Sequence, residues 1–217
     1  MYTRRNYRLR DMIKWTRRDV YKFTLISIIP VVLYKVLDFT WLHLPWLPIA
    51  LVGTAVAFLI GFKNNASYGR LWEARKIWGG IVNTSRSWAM MVRDLINNQY
   101  ATEKASEEEL YAIRKKLVDR HIAWMAAHRY ALRKPRPWET FLQRLTNKEY
   151  SQFYKIHEHS IAFEVEAARY LSEEELAGLE GKANHATQLL AMQSAHLKEL
   201  KERGLIWEFA LLDLEGM

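Results

Sequence analysis

The side chains with chemistry to offer are seven histidines and twenty-four carboxylates, and cysteine is absent. No thiolate nucleophile, disulfide or thiolate metal site is therefore available. Metal ligation by histidine needs a short, regular spacing on one element. His121 and His128 are seven apart and share a helix face, His157 and His159 do not, and His185 and His196 lie farther apart. No HExxH or other zinc spacing is present, and no phosphate-cradling glycine loop or nucleophile elbow. Glu164 and Glu166 are two residues apart, so on a helix they point away from each other and cannot work as an acid–base pair. The residues give an enzyme little support and call for no cofactor or metal.

The elements that carry the remaining residues point elsewhere. Leu44 to Phe62 reads L-P-W-L-P-I-A-L-V-G-T-A-V-A-F-L-I-G-F, without a charge. As a helix it reaches roughly 28 Å, close to the hydrocarbon thickness of a bilayer. Pro45 and Pro48 stand where a helix begins, and Trp41 and Trp46 suit the interface. Gly53, Ala57 and Gly61 recur every four residues, a small-residue row that lets another helix approach closely in lipid. Thr54, Phe58 and Phe62 form a second row beside it. A weaker apolar run, Phe23 to Leu37, contains Pro30 and Lys35 and reads as the first half of a hairpin. The formal charge is +8. Lysine and arginine cluster before the first run, from Arg4 to Lys22, and after the second, at Lys63, Arg70, Arg75 and Lys76. The connector holds only Lys35, Asp38 and His43. This distribution predicts a hairpin with both ends in the cytoplasm. A late apolar run without a small-residue cleavage site is not a cleavable signal.

The organisation expected is a basic juxtamembrane segment at 1–22, a transmembrane hairpin at 23–63 (about 23–40 and 44–63), and a cytoplasmic helical region at 64–217. The fold class is all-α. Beyond Phe62 the helix is expected to continue towards Asn98, kinked at Gly69 or the Gly79-Gly80 pair. Ser106 with Glu109 opens a helix of about Glu107 to Arg133, and Ser172 with Glu175 repeats the capping signature. A short helix is expected from Trp138 to Leu145 and one or two more between Asn147 and Leu171. A helix of about Ala183 to Arg203 stops at Gly204, and the last stretch, Leu205 to Met217, is amphipathic.

The segment G-x-x-x-A-F-L-I-G-F-K-N-N-A-S-Y-G-R-L-W-E-A-R-K-I-W-G resembles the signature of the bacterial bestrophin channels. It does so over about Leu51 to Arg93, through Asn65, Ser67, Tyr68, Arg70, Glu73, Arg75, Trp78 and Gly79. One hairpin cannot enclose a lumen, so a channel requires a ring of copies; the resemblance implies a homopentamer. It further implies a pore neck of Thr54, Phe58 and Phe62, packed through Gly53, Ala57 and Gly61. Lys63, Asn65, Arg70, Glu73 and Arg75 then form the cytoplasmic mouth and collar. A loose alignment places a second, cytoplasmic aperture at Ile206 and Trp207. Phenylalanine edges carry partial positive charge and suit an anion, and basic residues at the mouth raise its local concentration. The resemblance thus implies a chloride-type anion channel in the bacterial inner membrane, multi-pass, with a cytoplasmic N-terminus and lipid and permeant anions as partners. Thr54 departs from the isoleucine frequent in bacterial relatives, and its hydroxyl is expected to wet the neck. Some relatives favour cations, so ion sign does not follow from the family. The acidic calcium clasp of eukaryotic members has no counterpart here. Family members continue into another membrane pair, so the chain is expected to be a truncated form. A cation-selective channel and a non-conducting, membrane-anchored helical scaffold stay open as alternatives; a nucleic-acid binder leaves the apolar hairpin without a role.

Overall fold

The computed structural model describes residues 8–43, 45–140, 143–151 and 157–216. Arg4 and Arg5, the start of the apolar stretch at Leu44, and Met217 lie outside them. Among the described residues the regular structure is entirely helical, and it divides into two units. One comprises the described residues of 1–72 and 136–155, the other those of 73–135 and 156–217.

In the first unit, α1 (Leu9–Lys35) carries the basic residues and the first apolar run on one helix, and Pro30 lies inside without ending it. Asp38 then takes a left-handed φ of 51°, a conformation that aspartate tolerates better than most residues. A 3-10 turn, Thr40–Leu42, leads on to α2 (Trp46–Leu95). Pro48 falls in the first turn of α2, where amide donors have no helical partner to lose. The polar half of α1 is tied to α4 (Leu145–Ser151). Trp15 donates through Nε1 to Asn147 Oδ1 at 3.1 Å, and Arg17 and Arg18 both pair with Glu149.

Helix α2 has 50 residues and runs unbroken through Gly69, Gly79 and Gly80. The expected continuation of the helix beyond Phe62 is therefore seen, through all three glycines and as far as Leu95. Among the described residues α2 is the one helix long and apolar enough to cross a membrane. Every residue from Pro45 to Gly80 is exposed.

The second unit is built by the end of α2 with α3 (Glu107–Arg133), α5 (Phe163–Ala167), α6 (Glu173–Leu179), α7 (His185–Glu202) and α8 (Glu208–Glu215). Helix α3 forms because Leu110, Ile113, Leu117, Arg120, Ala123 and Ala127 recur at three- and four-residue steps and bury one face; the apolar ones do most of the packing. They feed two adjoining cores. One joins Val92, Leu117, Leu197 and Leu205, the other Ala123, Phe163, Leu179 and Leu189. Ser106 caps α3 by accepting from the Glu109 amide, while the Glu109 carboxylate goes to Arg203. At Ser172 both bonds with Glu175 form and the capping box is complete. Helix α7 ends in a Schellman motif: Leu205 N–H reaches Leu200 O at 2.9 Å and Gly204 N–H reaches Lys201 O at 2.9 Å. Gly204 has φ +71°, and a Cβ there would stand 2.3 Å from Tyr100 O. Only glycine fits. The connection between α2 and α3 is pinned by Asn98, whose side chain both donates to and accepts from the Ala105 backbone, and by Arg114, which donates to Ile96 O.

One expectation is corrected. No helix covers the described residues from Trp138 to Thr140; the helix in this region is α4, which starts at Leu145, where the expected one was to end. Pro135 and Pro137 hold the approach in turn and extended backbone, and α4 forms where Asn147 and Glu149 meet α1.

Candidate functional site

The exposed stretch of α2 carries most of the residues that the sequence singles out. A straight helix turns about 100° per residue, so Thr54, Phe58 and Phe62 follow one another in steps of about 40° along one side. Phe58 is 64% and Phe62 69% exposed. Gly53, Ala57 and Gly61 lie one residue earlier on the cylinder, and a Cβ added at Gly53 or Gly61 would meet nothing within 4 Å. Among the described residues nothing demands glycine at either position. The Thr54 hydroxyl donates to Ala50 O at 3.0 Å. Its single proton is spent on its own helix, so Thr54 presents a methyl group and oxygen lone pairs outward.

Lys63, Asn65, Arg70, Glu73 and Arg75 are all exposed on the same helix. Asn65 falls within about 20° of the Phe58 line, whereas Lys63 and Arg70 lie more than about 100° round from it. Lys76 is exposed on α2 as well, eighteen residues after Phe58, a sequence spacing of five helical turns.

Ile206 and Trp207 separate. Ile206 is buried, at 2%, in the core of the second unit, while Trp207 is 45% exposed. The Trp207 ring lies 5.2 Å from Phe209 and 6.5 Å from Tyr100, centroid to centroid, in an exposed aromatic group at the start of α8.

The histidines fall into aromatic surroundings. His121 stacks on Trp88 at 4.8 Å and lies 5.1 Å from Trp124; Trp124 stacks on His128, and Trp78 meets His128 edge-on. His121 Nε2 is 2.9 Å from Ser85 Oγ, which itself donates to Met125 Sδ. Burial pushes the His121 imidazole below its ordinary value. The seven-residue step that placed His121 and His128 on one face thus serves ring stacking along α3. His196 is lowered first by burial and then by the charge of Arg120. Among the described residues no three His, Asp or Glu side chains converge as metal ligands would.

Glu166 receives Arg129 Nη2 on both oxygens at 2.7 Å, and Glu164 is exposed. Arg120, buried at 4%, donates through Nε to Glu175 Oε1 at 3.0 Å and through Nη1 to Met192 O at 3.3 Å. Burial pushes the Glu175 carboxyl up, but the Arg120 guanidinium and the Ser172 amide hold it below the ordinary carboxylate range.

The family model of the bacterial and fungal bestrophin proteins matches residues 11–216. The chain belongs to that family. Solved bestrophin structures share the fold. A variant of the Klebsiella pneumoniae bestrophin homologue matches with a TM-score of 0.65 and 19% identity, over 95% of this chain and 60% of that one. A crystal structure described as a membrane protein matches with a TM-score of 0.63 and 22% identity, over 88% of this chain and 57% of that one. Two relatives are described as voltage-dependent anion channel-forming proteins. The one from Ralstonia nicotianae is 50% identical over 54 residues, 21% of this chain and 18% of the relative. The Escherichia coli one is 50% identical over 40 residues, 18% of this chain and 13% of the relative. The bestrophin chain described here thus matches less than a fifth of these relatives' length and about three fifths of the Klebsiella chain.

Proposed function

We propose that this bestrophin chain is the protomer of a pentameric channel that passes chloride and similar anions down their gradient. The observation that carries the reading is the uncharged start of α2, exposed at every position from Trp46 to Phe62, in a family whose relatives include proteins described as anion channel-forming. In water so much uncovered apolar helix is unstable; it needs lipid on one side and copies of itself on the other. The open space around Gly53 and Gly61 supports their use as the seam along which neighbouring copies of α2 meet. With that seam closed, the row of Thr54, Phe58 and Phe62 turns to the axis as a narrow apolar neck, which gates by dewetting and offers ring edges to an anion.

Asn65 and Lys76 continue the same line beyond the neck, so each protomer would bring a cation towards the conduction path. Lys63, Arg70, Glu73 and Arg75 form the surrounding collar and act through their summed field. Trp207 supplies the ring of the second aperture, and Ile206 fixes it from beneath. In this scheme 1–22 lies at the membrane surface, 23–63 is the hairpin and 64–217 the cytoplasmic region. The host is the bacterial inner membrane, with the N-terminus in the cytoplasm.

One observation favours a second reading, cation passage. Thr54 has given its only donor to Ala50 O, and what it leaves outward is an acceptor. Reversal potentials of the purified chain in planar bilayers, with sodium and chloride replaced in turn, separate the two. A reversal potential that follows chloride supports the proposal. One that follows sodium favours the second reading, and absence of current in every salt makes the protein a membrane-anchored scaffold.

A further inference from the structure

Within the second unit a cleft of about 540 Å³ opens among α2, α3, α7 and α8. That is within the usual range of small-molecule sites, about 300–1,000 Å³. Its walls include the rings of Trp88, His121 and Trp124, with Gln193 and Glu215 as its main polar groups. None of the channel roles above uses it.

Gln193 is the anomaly. It occupies the core-facing row of α7 between Leu189 and Leu197 and is only 6% exposed, yet its Oε1 has no hydrogen-bond partner. A buried, unsatisfied amide costs about 1–3 kcal/mol, and leucine at this position would avoid it. A glutamine kept there asks for a partner from outside the chain.

The charge of the cleft narrows the partner. Glu215 carries the only formal charge among the described residues that line it. One Glu215 oxygen accepts from Ser194 Oγ at 2.6 Å, which orients the carboxylate and leaves its second oxygen. His121 contributes a ring whose Nε2 is already hydrogen-bonded to Ser85 Oγ at 2.9 Å. A negative cleft in a chain of net charge +8 rejects carboxylates and phosphates and draws cations. Indole faces attract the same class: a cation over a tryptophan ring gains about 0.5–2 kcal/mol, more when desolvated.

We propose that this cleft binds a small organic ammonium cation, its charged head on the Glu215 carboxylate beside the indole rings of the wall and a donor group towards the Gln193 carbonyl. Choline is a suitable probe, because it pairs a trimethylammonium head with one hydroxyl donor. Its neutral isostere, 3,3-dimethylbutan-1-ol, keeps the shape and the hydroxyl and loses only the charge. Titration calorimetry of the purified full chain, with sodium chloride matched to the choline chloride, gives the contrast. The expected result is binding of choline at least roughly tenfold tighter than the isostere, the equivalent of about 1.4 kcal/mol. Glu215→Gln, at an exposed site, should abolish that preference. Gln193→Leu should weaken both probes alike and leave the preference in place. Failure to bind choline overturns the proposal, as does equal affinity for the two probes, or a choline affinity unmoved by Glu215→Gln.

Discussion

Removing the Arg120 guanidinium as Arg120→Met should destabilise the second unit more than any single surface change. Three contacts set the size. The guanidinium is bound to Glu175 through two nitrogens, to Met192 O at 3.3 Å, and lies 3.3 Å from His196 Nδ1. The Arg120 side chain is 5% and the Glu175 side chain 12% exposed, so neither group can recover water when its partner goes. Breaking a buried pair from one side costs about 3–5 kcal/mol. At roughly 4 °C per kcal/mol for a unit of this size, the midpoint should drop by about 12–20 °C. The assay is a thermal melt of the purified chain followed by tryptophan fluorescence, since Trp88 is buried in this unit. Glu175→Gln should cost less, because glutamine still closes the capping box with Ser172. The double variant should recover part of the loss, since it leaves no stranded charge. A melt of Arg120→Met within about 4 °C of the parent, equivalent to about 1 kcal/mol, would refute the reasoning.

Other outcomes follow from the same structure. Phe62→Ala should widen the proposed neck and raise anion flux from liposomes several-fold, and Lys76→Gln should reduce the chloride preference measured by reversal potential; unchanged values in both would detach α2 from conduction. Gly204→Ala places a methyl group against Tyr100 O and forces a left-handed φ on alanine, so folded yield should fall sharply, with a loss of more than about 2 kcal/mol by denaturant melt. His121 is held below its ordinary value by burial. The unfolded chain therefore binds a proton there that the folded chain refuses, and stability should fall as pH drops below about 6.5. His121→Phe should flatten that acid limb in melts taken between pH 7 and 5.

Local signals in the sequence located much of this fold, and the reason is that helix ends are written in a few neighbouring residues. Ser106 and Arg133 bracket α3 as expected, and Ser172 starts α6. Gly204 closes α7, which runs from His185 to Glu202 against an expected 183–203. The short helix near Trp138 failed for the opposite cause: α4 is held by Trp15 and Arg17, more than a hundred residues away. The rows on α2 were legible because helical spacing alone defines them. Gln193 and Glu215 were invisible as a pair, since only the folded positions of α7 and α8 bring them to one cleft. Even there a weak trace existed, a polar residue breaking the apolar rhythm Leu189, Gln193, Leu197.

The uninterrupted course of α2 has an evolutionary consequence. A helix keeps angular register from turn to turn, so a one-residue insertion between Lys63 and Arg70 would swing the phenylalanine row by about 100° against Arg70. Length changes in this segment should therefore be tolerated only in multiples that restore phase, such as seven or eleven residues.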